Sequence, residues 1–141
     1  MKTHRSVLSA VLAFFIVFLA IPFSASAQTA DEFFKSGYNK YETGDYVGAI
    51  ADYSQAIRLK PDYLEAYNNR GSAKNGLSKY IEAITDYTET IRLNPNCAEA
   101  YYGRGAAKYN LGRKKAACAD FRRALELGYK DAAKVIEDNC R

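Results

Sequence analysis

The residues able to do chemistry are few: three cysteines, one histidine and a pair of carboxylates worth weighing. Cys97, Cys118 and Cys140 could form one disulfide with a thiol left over, or stay reduced. No C-x-x-C pair is present to hold a metal through thiolates. Glu65 and Glu99 could serve as paired general acid and base. They stand 34 residues apart, however, and that spacing recurs throughout the chain, so repetition accounts for them. The only histidine, His4, lies in a segment expected to be removed.

That segment has three parts. Lys2, His4 and Arg5 make a positive start, and an apolar run from Val7 to Ile21 is broken only by Ser9. Pro22 and a small-residue exit ending Ala25-Ser26-Ala27 follow. This is the pattern of a secretory signal peptide, with a core short for the roughly 20 residues that span a bilayer. Residues 1–27 are therefore expected to leave after Ala27, the alternative being an uncleaved anchor. No cysteine near the exit supports a lipid anchor. The remaining 28–141 reads as one domain, exported to the periplasm or secreted. Without His4 it cannot build a His-dependent triad, base or metal site.

Taking Lys2 and Arg5 from the chain's net charge of +4 leaves +2. So small an excess gives no electrostatic case for nucleic acid. The cluster Arg113-Lys114-Lys115 with Arg122 and Arg123 is interrupted by Asp120 and Glu126, and reads as a solvated helix face.

The elements that position these residues follow from the 34-residue period. Gly37, Gly71 and Gly105 align, as do Ala49, Ala83 and Ala117, and Asp52, Asp86 and Asp120. Phe33, Tyr67 and Tyr101 fall in register, with Tyr53, Tyr87 and Phe121, and with Lys40, Lys74 and Lys108. Pro61 and Pro95 close the first two units. Each unit reads as two helices. In the first, Phe33, Phe34, Tyr38 and Tyr41 precede a break at Gly44-Asp45, with Asp45 able to cap the next helix. Tyr46, Ala49, Ile50, Tyr53, Ala56, Ile57 and Leu59 then share one face, until Pro61 stops the helix. Unit two turns between Gly76 and Lys79, unit three at Gly112. The glycines are expected to face the alanines where paired helices approach closely. One pair cannot bury its own apolar face, so several must stack.

These units resemble the tetratricopeptide repeat (TPR) family. Tyr67, Gly71, Tyr80, Ala83, Tyr87 and Pro95 match its small and large positions in unit two. Gly44, Tyr46, Ala49, Tyr53, Ala56 and Pro61 match the later part of unit one. The resemblance covers residues 30–129. It departs at Ser36, Arg70 and Arg104, where an aliphatic is usual, at Lys114, and at Gly128-Tyr129 in place of the proline stop. It implies an all-α, right-handed α-solenoid of three helix-turn-helix units, about 30–63, 64–97 and 98–129, with no cofactor and no catalytic role.

A short helix over 131–140 is expected to cap the stack, with Ala132, Ala133, Val135 and Ile136 on its apolar side. If the chain turns near Tyr129, Cys118 and Cys140 lie eleven residues to either side, at similar height in an antiparallel pair. That predicts a Cys118–Cys140 bridge, against the alternative of three reduced thiols.

The resemblance further implies a concave groove lined by the first helix of each unit, where a partner peptide or helix lies. By position it displays Asp31, Phe34, Tyr38 and Tyr41; then Glu65, Asn68, Asn69, Ser72 and Asn75; then Glu99, Tyr102, Ala106 and Tyr109. Any of these tyrosines could instead be inter-repeat packing. Family members that clamp the terminal carboxylate of heat-shock chaperones use lysine and arginine at fixed positions. Here those positions read Phe34, Tyr38, Asn69, Glu99 and Gly103, and only Asn69 fits. The expected function is a protein-binding module or scaffold. The other classes weighed are a homo-oligomer that self-associates through Phe33, Phe34 and Tyr41, and an enzyme built on Glu65 and Glu99.

Overall fold

The computed structural model describes residues 28–140, so the expected signal segment lies outside the described residues. Among the described residues seven helices follow one another: α1 Ala30–Glu42, α2 Tyr46–Leu59, α3 Leu64–Gly76, α4 Tyr80–Leu93, α5 Ala98–Asn110, α6 Lys114–Glu126 and α7 Ala132–Asn139. The starts of α1, α3 and α5 are 34 residues apart, and each odd helix packs antiparallel to the helix after it. This is the all-α TPR solenoid.

Local chemistry sets the boundaries. Thr29 opens α1 with a capping box: its Oγ1 accepts from the Glu32 amide at 3.2 Å, and Glu32 Oε2 accepts from the Thr29 amide at 2.8 Å. Asp45 caps α2 by accepting from the Gly48 amide at 2.9 Å. Pro61 and Pro95 each follow the helix end by two residues, after Leu59 and Leu93. Gly44 and Gly112 turn the chain with φ of +83° and +76°. In unit two the left-handed residue is Ser78, φ +59°, and not Gly76, which ends α3.

Gly37 and Gly105 meet more than the facing alanines. A Cβ at Gly37 would lie 2.9 Å from the Tyr53 ring, and one at Gly105 2.8 Å from the Phe121 ring. The aromatic four residues beyond each alanine therefore fills space inside the pair, and Tyr53 and Tyr87 also reach the next pair, at Ala73 and at Ala100 and Ala107. Tyr53, Tyr87 and Phe121 are buried there with Ala49, Ala83 and Ala117.

The departures at Arg70 and Arg104 have a structural reason. Arg70 Nε and Nη2 donate to Asp86 at 2.9 and 2.7 Å, and Lys74 Nζ reaches the same carboxylate at 2.8 Å. Arg104 and Lys108 repeat this on Asp120, at 2.9, 2.8 and 2.7 Å. Arg70 Nη1 also reaches back to Ser54 of the preceding pair, and Arg104 Nη1 to Thr88. Each arginine thus ties its own helix pair to the one before. In unit one, Ser36 and Lys40 hold Asp52 instead, both at 2.6 Å.

Helix α7 covers the end of the stack. Ala132 is buried, Val135 and Ile136 are half-buried, and Ala133 faces solvent, against the expectation that it would join the apolar side. Cys118 on α6 is bonded to Cys140 just past α7, with Cα atoms 5.6 Å apart. Arg122 Nη2 donates to the Cys140 carbonyl at 3.1 Å beside it.

Candidate partner-binding groove

Helices α1, α3 and α5 carry one residue row each toward a cleft of about 510 Å³. Tyr41 enters from α1; Asn68, Ser72, Asn75 and Gly76 from α3; Glu99, Tyr102, Gly103 and Ala106 from α5. Tyr87 forms part of its floor and Tyr129 part of its wall. The cleft therefore brings together five of the nine residues expected to bind a partner: Tyr41, Asn68, Ser72, Asn75 and Tyr102.

The other four are elsewhere. Phe34 packs into the interior, its ring 5.0 Å from Tyr63 and 5.7 Å from Tyr53 between centroids. Tyr109 donates its hydroxyl to Asn139 Oδ1 at 2.7 Å, which turns it toward the cap. Tyr38 is exposed at 47% and Asn69 half-buried, and neither lines the cleft. Phe33, Phe34 and Tyr41, weighed as a self-association face, are each half-buried within the chain, packed against Ala56, Tyr63 and Ala66 or against Ala49 and Tyr53.

Tyr87 and Tyr129 were not expected in the cleft. The Tyr87 hydroxyl lies 3.1 Å from Ser72 Oγ, which itself donates to the Asn68 carbonyl at 3.2 Å. Burial pushes its phenol up to about 12, even though the bond to Ser72 works the other way. It is a neutral donor fixed in the floor. Tyr129 stands where the first two units have proline, and its ring stacks on Tyr102 with centroids 4.5 Å apart. That 34-residue alignment with Pro61 and Pro95 was the available signal for it.

Asn68 Oδ1 and Asn75 Oδ1 are covered and have no hydrogen-bond partner among the described residues. An unmet buried acceptor costs about 1–3 kcal/mol. A donor brought into the cleft would relieve it by turning the carboxamide to meet it. Cys97 is the free thiol, half-buried at the start of α5, and burial raises its pKa, which makes it a poor nucleophile. The arrangement is equipped for contact through aromatic area and amide groups.

Comparison with known proteins agrees. A family model described as TPR repeat matches residues 37–76 and 77–112, and another described as tetratricopeptide repeat matches 98–131. No curated protein matches the chain. Among solved structures, the first TPR of Spaghetti (RPAP3), bound to the HSP90 peptide SRMEEVD, superposes with a TM-score of 0.77 at 29% identity, over 80% of this chain and 91% of that one. The TPR domain of Arabidopsis OM64 does so at 0.76 and 32%, over 79% and 93%. The second TPR domain of human RPAP3, in complex with the HSP70 peptide SGPTIEEVD, reaches 0.72 at 28%, over 79% and 98%. The chain belongs to the tetratricopeptide repeat family, a class of interaction scaffolds.

Proposed function

We propose that this chain is a non-enzymatic interaction module of an exported compartment, holding an extended peptide or a helix of a partner protein in its concave cleft. The observation that carries the reading is the cleft itself. Three successive helix pairs contribute to it, and it offers tyrosine rings, a serine hydroxyl and two unmet amide oxygens. Tyrosine supplies contact area at small entropy loss. Support for export comes from the three-part segment at 1–27 and from a disulfide, which persists in oxidising compartments.

The peptides held by the RPAP3 neighbours, SRMEEVD and SGPTIEEVD, are acidic. Binding of that kind needs paired cations, and the corresponding positions here are Phe34, Tyr38, Asn69, Glu99 and Gly103. Phe34 is committed to the interior, and a side chain at Gly103 would run into the Tyr87 ring. The partner on this reading is a different one.

The test is affinity capture from the exported fraction of the native host, with residues 28–141 as bait beside an Asn68→Ala, Asn75→Ala, Tyr102→Ala variant. A partner held by the wild type and lost by a variant with unchanged circular dichroism supports the groove. Identical capture by both removes it. Amino-terminal sequencing of the exported chain should begin at Gln28; a chain retained in the cytoplasm with Met1 intact would remove the compartment.

A further inference from the structure

We infer that the cleft selects a cationic occupant: an extended partner segment that seats a lysine or arginine between Glu99 and the stacked rings of Tyr102 and Tyr129. This rests on the groove reading above and names what that groove accepts.

The argument begins with where the cations of the groove helices go. Helices α1, α3 and α5 carry Lys35, Lys40, Arg70, Lys74, Arg104 and Lys108. Five of the six are bound to Asp52, Asp86 or Asp120, on the side where each odd helix meets its even partner. Lys35 lines a separate hollow with Glu32, Ser36 and Asn39. None of them lines the cleft, and among the described residues its one charged lining residue is Glu99.

Glu99 has no ion-pair partner among the described residues, and it is exposed. Its carboxylate accepts only a weak contact from Cys97 Sγ at 3.6 Å. Beside it stands an aromatic wall: Tyr102 and Tyr129 are stacked at 4.5 Å, with Phe121 behind Tyr102 at 5.5 Å between centroids. Asp131 and Glu99 are close enough to raise the Tyr129 phenol further, after burial and Tyr102. A carboxylate next to tyrosine rings, with no cation paired to it among the described residues, is an attractive setting for an ammonium or guanidinium group. The occupant's backbone N–H groups would meet the unsatisfied oxygens of Asn68 and Asn75, two turns of α3 along the same cleft. A carboxylate-bearing segment meets Glu99 with nothing to offset the repulsion.

The test is selection of random dodecapeptides on phage against residues 28–141, followed by fluorescence anisotropy of the winning peptides. The expected result is enrichment of lysine or arginine, with affinity falling about tenfold on Glu99→Lys and about threefold on Glu99→Gln, and falling as salt rises. The milder variant keeps the test valid if charge reversal perturbs folding. Winners that lack cations, weaken on Asn68→Ala with Asn75→Ala, and ignore Glu99→Lys would overturn the cationic preference while leaving the groove in place. Winners indifferent to both sets, or no winners, would overturn the groove reading together with it.

Discussion

Arg70 donates two parallel hydrogen bonds to Asp86, at 2.9 and 2.7 Å, from a position where this repeat ordinarily carries an aliphatic residue. Asp86 is 2% exposed and is also held by Lys74 at 2.8 Å. Asp120 is 5% exposed and bound in the same way by Arg104 and Lys108. A covered carboxylate with two cations is poor evidence of net stabilisation over an apolar core, but removing one partner leaves uncompensated charge.

Asp86→Ala is therefore expected to cost about 3–5 kcal/mol in urea unfolding. Asp52→Ala should cost under about 1 kcal/mol, because Lys40 is 40% exposed and can return to water. Equal losses at the two sites would show that the buried arrangement contributes nothing particular.

At Gly103 packing reverses a propensity. Glycine inside a helix normally loses to alanine by about 1 kcal/mol. Here a Cβ would press on the Tyr87 ring, which is nearly buried and carries the bond to Ser72. Gly103→Ala should destabilise by about 1–3 kcal/mol. A gain in melting temperature would mean that Tyr87 moves aside without loss.

Ser78 holds φ +59° at the repeat position where Gly44 and Gly112 hold +83° and +76°. A left-handed L-residue costs about 1–2 kcal/mol, of which glycine's extra chain entropy returns part. Ser78→Gly should raise stability by about 0.5–1 kcal/mol, read from the denaturant midpoint at unchanged slope.

Much of this was legible in the sequence, for a reason specific to repeats. Positions such as Ala49, Ala83 and Ala117 meet the same neighbours three times, so periodicity carries packing information directly. The cleft was legible only in part. Asn68 and Tyr102 occupy the same repeat position as Phe34, yet only those two line the cleft, while the Phe34 ring packs on Tyr63 at 5.0 Å. The roles of Arg70 and Arg104 escaped because a single charged residue beside glycine reads as surface. Only the buried aspartate sixteen residues on explains it.

The Cys118–Cys140 bond closes a loop with a sequence separation of 22. Closing a loop of that size stabilises by roughly 3 kcal/mol in the chain-entropy account. Cys118→Ala with Cys140→Ala, or treatment with dithiothreitol, should lower the midpoint accordingly. Hydrogen exchange should quicken first in α7, whose remaining hold is Ala132, Val135, Ile136, the Tyr109 bond to Asn139 and the Arg122 bond to the Cys140 carbonyl. No change on reduction would leave the bond without a stabilising role.

Alkaline pH offers a test of the aromatic interior as a whole. Burial pushes the phenols of Tyr53, Tyr63 and Tyr87 up to about 12, against an ordinary value of 10.0. An unfolded chain would lose these protons near pH 10, whereas the folded chain keeps them. The stabilisation is thus fully present below pH 10 and is lost as pH rises from 10 toward 12. Helicity should fall across that window together with the rise of tyrosinate absorbance for the buried rings. Tyr87→Phe removes one of the three contributions, and should soften the alkaline transition at the expense of the bond to Ser72. Ionisation of every tyrosine near pH 10 with helicity intact would show that water reaches these rings in the folded chain.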